Sequence, residues 1–250
     1  MRLLYIFPRT TPDAREREAE HARRLEILQR AASQGTTVDF RELEGCPPAI
    51  ESRRDAYAVA PAIISIAERL ASLYDAMIVG CFSDPGVDGA LEGTRLPIIG
   101  CGLPSMAAAL LLGSRFAVLS PSAASAAHAR DLVMAAGLLD RFAGAFPLGI
   151  GVREFAANPS RTLEIAGKSA RQAVAGGADV VLLGCLSLAF TGAGDELQER
   201  LGLPVVNPLR VAVRTAEMLV AAGLSPRRLP APGLSPDRAS ATEVHSGRSG

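Results

Sequence analysis

The 250 residues carry 26 lysine and arginine side chains against 26 aspartate and glutamate side chains, so the net charge is zero. Proteins that bind nucleic acids depend on clustered positive charge, whereas basic and acidic residues are interspersed along this chain. A nucleic-acid partner is therefore not expected. Apolar residues make up 48% of the chain and aromatic residues 4%, which is typical of a globular protein with a large core.

The apolar residues are spread over short segments. The run near the N-terminus stops at residue 7, too short for the core of a secretory signal. No uninterrupted apolar run approaches the roughly 18 residues needed to cross a bilayer. We therefore expect a cytosolic protein with no membrane partner, whose four cysteines at positions 46, 81, 101 and 185 stay reduced.

Neither a metal nor a cofactor is expected. The chain has no C-x-x-C pair, and its three histidines, at positions 21, 128 and 245, lack the spacing of metal ligands. Lys168 is the only lysine, and it falls in a predicted amphipathic helix rather than at a strand end, which argues against pyridoxal phosphate.

Strand-like and helix-like segments alternate along the chain. The predicted strands are short apolar runs at 3–7, 36–41, 76–80, 98–99, 116–119, 142–146, 180–183 and 205–206. The predicted helices are 14–32, 56–73, 105–112, 123–136, 161–175 and 209–222. Continuous apolar strands separated by helices predict an α/β fold with mostly parallel sheets that are covered on both faces.

Two halves of the sequence resemble each other. Residues 75–81 read Asp-Ala-Met-Ile-Val-Gly-Cys, and residues 179–185 read Asp-Val-Val-Leu-Leu-Gly-Cys. A glycine-bearing helical stretch and then a Leu-Pro pair with two β-branched residues follow in both halves, at 96–99 and 203–206. The repeat predicts two pseudo-symmetric lobes, each with a cysteine just past the end of an apolar strand.

The repeat also suggests domain boundaries. We place the first lobe at 1–97 with 209–224, the second lobe at 98–208, and a disordered tail at 225–250, which has little apolar surface to bury. The last helix is expected to pack back on the first lobe. Ligands of parallel sheets bind beyond the carboxyl ends of the strands, so both cysteines are expected in a cleft between the lobes.

Cys81 and Cys185 are the candidate catalytic residues. Inversion of a carbon next to a carbonyl needs one group that removes a proton from one face and another that delivers a proton to the opposite face, and two thiols can exchange these roles. A helix N-terminus is expected to lower the thiol pKa toward neutrality, and the glycine before each cysteine to let the backbone approach the ligand. Cys46 and Cys101 lie outside the repeat, and we interpret them as space-filling residues.

Segment 80–88, Gly-Cys-Phe-Ser-Asp-Pro-Gly-Val-Asp, resembles the first cysteine motif of hydantoin and allantoin racemases, within the aspartate/glutamate/hydantoin racemase superfamily. Further segments that are similar to this family are 97–100, 113–119, 181–185 and 204–220. The resemblance covers residues 1 to about 224. It implies cofactor-free racemisation or epimerisation with Cys81 and Cys185 as opposed acid and base. We expect a small carbonyl or carboxylate substrate and a homo-oligomer.

The predicted substrate-binding residues lie beyond the strand ends. They are Phe7, Pro8, Arg9, Thr10, Phe82, Ser83, Ser120, Ser122, Leu186 and Ser187. Backbone N–H groups at 82–83 and 186–187 are expected to bind a carboxylate or enolate oxygen. Segment 7–10 reads Phe-Pro-Arg-Thr where the family has Asn-Pro-Asn-Thr/Ser, and 186–188 reads Leu-Ser-Leu where hydantoin racemases have Ala-Gly-Met, so a less polar pocket is expected.

Several interpretations stay open from sequence. Arg9 either pairs with a substrate carboxylate or is a solvated turn residue, and Ser120 and Ser122 either bind substrate or cap the helix that follows. Asp84 is interpreted as the N-cap of the helix just after it, with Pro85 at the first helical position, and His128 as a solvated helix residue.

Three alternative functions also remain. They are a maleate-type cis-trans isomerase, an arylmalonate-type decarboxylase, which needs only one cysteine, and a non-catalytic small-molecule sensor on the same scaffold.

Overall fold

The fold is described from a computed structural model that covers residues 1–8, 14–47 and 49–225, without the side chains of residues 8 and 14. Within these residues the strands are β1 (Arg2–Pro8), β2 (Thr37–Leu43), β3 (Ala76–Val79), β4 (Ile98–Ile99), β5 (Phe116–Ser120), β6 (Phe142–Pro147), β7 (Val180–Leu183) and β8 (Val205–Val206). The helices are α1 (Ala14–Ala31), α2 (Arg53–Leu70), α3 (Val87–Gly93), α4 (Gly102–Leu112), α5 (Ala123–Ala135), α6 (Glu154–Ala157), α7 (Pro159–Ala175), α8 (Leu186–Ala189), α9 (Ala193–Leu201) and α10 (Pro208–Ala221). Single 3-10 turns occupy Ala71–Leu73 and Leu139–Arg141.

The strands form two four-stranded sheets with the same order. The first sheet runs β2-β1-β3-β4 and the second runs β6-β5-β7-β8. All the pairs are parallel. The predicted α/β fold with two similar lobes is therefore confirmed, and each element of the first sheet has a counterpart in the second.

The two halves share hydrogen bonds as well as topology. The Asp75 carboxylate accepts a bond from the N–H of Arg2 at 2.6 Å. In the second half, the Asp179 carboxylate accepts bonds from the N–H groups of Ser114 and Arg115, both at 2.8 Å. In each half the aspartate thus ties the start of the central strand, or the residues just before it, to the chain before the cysteine strand, which fixes where the cysteine strand begins.

Alternate residues of β1 face different parts of the core. Leu4 and Ile6 pack with apolar residues of α2, whereas Leu3, Tyr5 and Phe7 belong to a larger core cluster that also contains strands of the second sheet. A strand presents successive side chains to opposite faces. This alternation therefore directs Phe7, at the end of β1, toward the second lobe.

Helix α10 joins the lobes. It follows β8 of the second sheet but packs on β3, β4 and α1 of the first half, as expected. Buried Glu217 on this helix accepts bonds from the N–H and the hydroxyl of Ser33, at 2.7 and 2.9 Å. The first sheet is thus covered by a helix from the end of the described chain.

One proposed boundary needs correction. The predicted second lobe begins at residue 98, but residues 98–99 form β4, which pairs with β3 of the first sheet. The Leu-Pro-Ile-Ile segment returns to the strand that precedes it. Of the expected tail, residue 225 is exposed and Ser225 donates a hydrogen bond to the carbonyl of Arg95. Residues 226–250 lie outside the described residues.

A single helical stretch in the described part of the chain, Arg53–Leu73, is long and apolar enough to cross a membrane by length and composition. Its apolar face includes the buried residues Val59 and Ile63, which pack against β1 and β3 in the core between this helix and the first sheet. That packing is the behaviour of a helix that covers a sheet.

Candidate active site

A cavity lies at the carboxyl ends of both sheets and is lined from both halves of the molecule. Cys81 and Ser83, beyond β3, contribute from the first half, and Cys185 and Ser187, beyond β7, contribute from the second half. Corresponding strands of the two sheets thus deliver their cysteines to one cavity, as the repeat predicts. Neither cysteine forms a disulfide bond, and each residue is partly exposed, although its sulfur is enclosed by protein atoms.

The glycine before each cysteine is required by the neighbouring strand. The N–H of Gly80 donates to the carbonyl of Ile6, and that of Gly184 donates to the carbonyl of Leu119, both at 2.7 Å. A Cβ atom would lie 2.8 Å from the Ile6 oxygen at the first position and 2.6 Å from the Leu119 oxygen at the second. Packing against the central strand therefore requires glycine at both positions. Both glycines also line the cavity, and the expectation that their backbone approaches a ligand stays a prediction.

The chain after Cys81 forms a turn. The Cys81 sulfur lies 3.1 Å from the hydroxyl oxygen of Ser83. The next residue, Asp84, has a positive φ of 48°, a conformation that aspartate tolerates better than most residues. This turn directs the Asp84 side chain away from the cavity and toward α4.

Asp84 caps a different helix from the one expected. Its carboxylate accepts hydrogen bonds from the N–H groups of Cys101, Gly102 and Leu103 at 2.6 to 2.8 Å, at the N-terminus of α4. The adjacent helix α3 has Gly86 as its N-cap. Burial raises the pKa of Asp84 to about 6, against the lowering effect of these three bonds.

Cys185 is held differently. It is the N-cap residue of the short helix α8, with extended backbone angles. Burial raises the pKa of its thiol, and the backbone N–H groups of Leu188 and Ser187, together with the Ser187 side chain, act in the lowering direction. The second sulfur therefore sits among backbone donors, whereas the first relies on Ser83.

Burial outweighs these donors at both thiols. It raises the pKa of Cys81 to about 12 and that of Cys185 to about 11, because removal from water disfavours the thiolate. The expectation of pKa values lowered toward neutrality is therefore wrong. Glu51 further raises the pKa of Cys185 through its negative charge.

Phe7 forms an apolar part of the wall, as expected. Its ring lies 5.7 Å from that of Phe190 in an edge-to-face arrangement, and the buried guanidinium of Arg24 lies 4.2 Å above the Phe7 ring. These contacts with Phe190 and Arg24 hold the Phe7 ring in place. Leu186 is a second buried lining residue.

Residues 50–52 and helix α5 form a third wall that sequence reasoning missed. Glu51 and His128 both line the cavity. A Glu51 carboxylate oxygen accepts a bond from the N–H of Val152 at 2.9 Å, and the carbonyl of Glu51 accepts one from the Ser125 hydroxyl at 3.1 Å. His128 is half-buried, so its predicted solvated position is wrong, and burial lowers its pKa.

The other predicted binding residues fall in several places. Phe82 lines the cavity and is buried. Ser122 caps α5 by accepting a bond from the N–H of Ser125, which favours the capping interpretation. Ser120 is buried and does not line the cavity. Pro8 ends β1, and its side chain, like the whole of Arg9 and Thr10, lies outside the described residues.

The described residues contain no group of three or more His, Cys, Asp or Glu side chains placed to hold a metal ion. Cys101 is fully buried, and its sulfur lies 4.0 Å from the Tyr5 hydroxyl oxygen. Cys46 is half-buried and packs beside the core between α2 and the first sheet. The independence from metal and cofactor stays a prediction.

Comparisons with known proteins agree with this architecture. The family model for Asp/Glu/Hydantoin racemase matches residues 12–216. Hydantoin racemase from Paenarthrobacter aurescens is 30% identical over 226 residues, which cover 89% of this chain and 92% of that protein. The crystal structure of an allantoin racemase from Pseudomonas fluorescens superposes with a TM-score of 0.82 at 25% identity and covers 94% of this chain and 98% of that one. Arylmalonate decarboxylase, with a TM-score of 0.59, 19% identity and coverage of 90% and 96%, is similar in fold.

Proposed function

Because the chain belongs to the Asp/Glu/hydantoin racemase family, we propose that it is an isomerase that inverts a carbon next to a carbonyl, with Cys81 and Cys185 as the acid/base pair. The observation that carries this proposal is the delivery of both thiols to one cavity by equivalent strands of opposite sheets. A substrate between the two sulfurs presents one face to each of them.

The proposed reaction moves two protons. One cysteine, as thiolate, removes the proton from the substrate carbon, so the C–H bond breaks and an S–H bond forms. The other cysteine, as thiol, delivers its proton to the opposite face and becomes the thiolate. The negative charge of the intermediate rests on the carbonyl oxygen. The backbone N–H groups of Phe82 and Leu186 are the proposed donors to it, because those of Ser83 and Ser187 act on the sulfurs. The reverse direction exchanges the two roles.

The lining residues favour a neutral, cyclic amide as the substrate. Among the lining residues that the structure describes, none is lysine or arginine, and Glu51 places a negative charge near Cys185. A free carboxylate would meet repulsion there. Phe7, Ile50 and Leu186 offer apolar contact to a ring substituent. Together with the similarity to hydantoin and allantoin racemases, this supports a hydantoin-type substrate over an amino acid.

A decarboxylase activity is the second candidate, supported by the similarity in fold to arylmalonate decarboxylase. That reaction needs one cysteine to protonate the intermediate, whereas the cavity holds two. Racemisation therefore uses both thiols, and decarboxylation leaves one without a role. Release of CO₂ from an arylmalonate distinguishes the two activities directly.

The test is solvent-deuterium exchange with both enantiomers of 5-substituted hydantoins, allantoin and amino acids. Cys81→Ser and Cys185→Ser are each expected to lower racemisation by about 100-fold or more, because serine cannot act as the base near neutrality. Each variant is expected to retain exchange of only the enantiomer whose hydrogen faces the remaining thiol, so the two variants prefer opposite enantiomers.

Cys46→Ser serves as the matched control, because this thiol lies outside the cavity, and it is expected to behave like the parent. Uncatalysed exchange is subtracted from every rate. Racemisation at the parental rate in either variant, or the same enantiomer preference in both, contradicts the two-base assignment.

A further inference from the structure

A serine follows each catalytic cysteine at the same distance. Residues 81–83 read Cys-Phe-Ser, and residues 185–187 read Cys-Leu-Ser. Each serine lies four residues beyond the end of its strand, β3 (Ala76–Val79) or β7 (Val180–Leu183), and both line the cavity. The repeat thus delivers two pairs of cysteine and hydroxyl, one pair to each side of the substrate position.

The geometry of the first pair is that of a hydrogen bond, since the Cys81 sulfur and the Ser83 hydroxyl oxygen are 3.1 Å apart. A thiolate has no proton to give and can only accept. When Cys81 is ionised, the Ser83 hydroxyl is therefore the donor in this contact.

We propose that Ser83 and Ser187 are a matched pair of hydroxyl donors, each of which stabilises the thiolate of the cysteine two residues before it. The proposal rests on the proposed function, because it assigns these hydroxyls to the sulfurs rather than to the substrate. Each turnover transfers the negative charge from one sulfur to the other. A donor at both sulfurs keeps the two charged forms close in energy, as a reversible inversion requires.

The two hydroxyl donors differ in how strongly each lowers the pKa of its thiol. At Cys81 the Ser83 side chain has the largest lowering effect on the thiol pKa, ahead of the Ser83 backbone N–H. At Cys185 the backbone N–H groups of Leu188 and Ser187 lower the pKa more than the Ser187 side chain does. Removal of the Ser83 hydroxyl should therefore affect its cysteine more strongly than removal of the Ser187 hydroxyl.

The experiment measures thiolate reactivity without any substrate. Ser83→Ala, Ser83→Thr, Ser187→Ala and the surface control Ser72→Ala are alkylated with iodoacetamide at pH 8, and peptide mass spectrometry follows each cysteine separately. Ser83→Ala is expected to slow alkylation of Cys81 by about 10-fold or more, since hydrogen bonds to charged groups are the stronger ones. Cys185 should be unaffected in this variant.

Ser187→Ala is expected to slow alkylation of Cys185 by roughly 2- to 3-fold, because two backbone donors remain. An unchanged rate at Cys185 overturns the assignment of Ser187. Ser83→Thr keeps the hydroxyl and should restore most of the reactivity of Cys81, which separates the loss of the donor from a general loss of structure. Ser72→Ala, at an exposed site in the 3-10 turn after α2, should match the parent.

Kinetics with a racemisable hydantoin complete the test. Donors to sulfur should lower kcat on removal and leave KM nearly unchanged. An unchanged rate of Cys81 alkylation in Ser83→Ala overturns the proposal. If the same variant also has a raised KM, the Ser83 hydroxyl binds the substrate instead of the sulfur. If the alkylation results hold but the cysteine variants still racemise, the hydrogen-bond assignment stands and the proposed function fails.

Discussion

Cys81 and Cys185 follow equivalent strands of equivalent sheets, yet the chain beyond each cysteine takes a different course. After Cys185 it enters helix α8 at once, and the backbone N–H groups of Leu188 and Ser187 are the main groups that lower the pKa of the second thiol. After Cys81 it makes a turn through Asp84, whose φ is positive, and the main donor to the first sulfur is a side chain. The repeated strands set where the two thiols lie, and the unrepeated turns set how each thiolate is stabilised.

The two turns also differ in how they are anchored. The Asp84 carboxylate spans 17 residues to bind three N–H groups at the start of α4. The counterpart helix in the second half, α10, is capped by its own residue Asn207, which binds the N–H groups of Leu209 and Arg210. The first cysteine turn is thus tied to a helix of the core, while the described residues of the second turn lack an equivalent carboxylate.

The largest expected effect comes from the feature that both halves share. Gly80→Ala and Gly184→Ala would each bring a Cβ within 2.8 Å of a carbonyl of the central strand, so strand and cysteine must shift. Displacement of a catalytic group by about 1 Å costs roughly 100-fold in rate, and we expect that loss in kcat/KM for both variants, measured on a hydantoin.

Gly167→Ala in α7 is the control, because its nearest atoms lie 3.6 and 3.7 Å from the added Cβ. We expect it to keep parental activity. If only one of the variants Gly80→Ala and Gly184→Ala loses kcat/KM, the ends of β3 and β7 do not have the same role.

The second prediction concerns pH. Both thiol pKa values are raised above the ordinary value, so the thiolate fraction grows throughout the range from pH 7 to 9. We expect kcat/KM to rise about tenfold per pH unit across that range, equally for both enantiomers because their equilibrium constant is one. A plateau near neutrality in the measured profile would instead indicate a thiol pKa that is lowered in the working enzyme.

The third prediction concerns stability, and it compares the helix cap formed by Asp84 with the one formed by Asn207. Asp84→Ala leaves three N–H groups at the α4 terminus without their acceptor, and we expect a loss of about 3 kcal/mol. Asn207→Ala removes an ordinary cap, worth about 1 kcal/mol. For a chain of this size the drops in Tm, measured by circular dichroism, should be roughly 6–12 °C and 2–4 °C.

Asp84→Gly relieves any strain from the positive φ and removes the same carboxylate, so its difference from Asp84→Ala isolates the backbone contribution. Equal drops for the variants at Asp84 and Asn207 would show that the long-range anchor is no stronger than a local cap.

The sequence predicted the sheets well because their strands are continuous apolar runs with clear boundaries. Ile98–Ile99 and Val180–Leu183 lie where the pattern placed them, and the repeated Gly-Cys pair identified both thiols of the cavity. Periodicity and repetition are local signals, and they are strongest where a segment is buried on both faces.

The rest of the cavity depends on contacts between distant segments. Glu51 reaches the site from a loop, and His128 from a helix of small residues, and neither position has a periodic signal. The bond from Asp84 to α4 requires a positive φ at a residue other than glycine, which the sequence pattern does not reveal. The raised thiol pKa values follow from burial in the assembled cavity, whereas the sequence shows only the nearby helix start.

Helix α10 has a consequence for the order in which the protein is synthesised. The first sheet is complete in sequence once β4 has been translated, but the helix that covers part of it begins only at residue 208. At about 5–20 residues per second, this helix follows β4 by roughly 5–20 s. During that interval the face of the first half that later contacts α10 is exposed to solvent while the chain is still on the ribosome. The N–H and hydroxyl groups of Ser33, which later bind Glu217, lie on this face. The first half therefore cannot finish folding before the second half has been made.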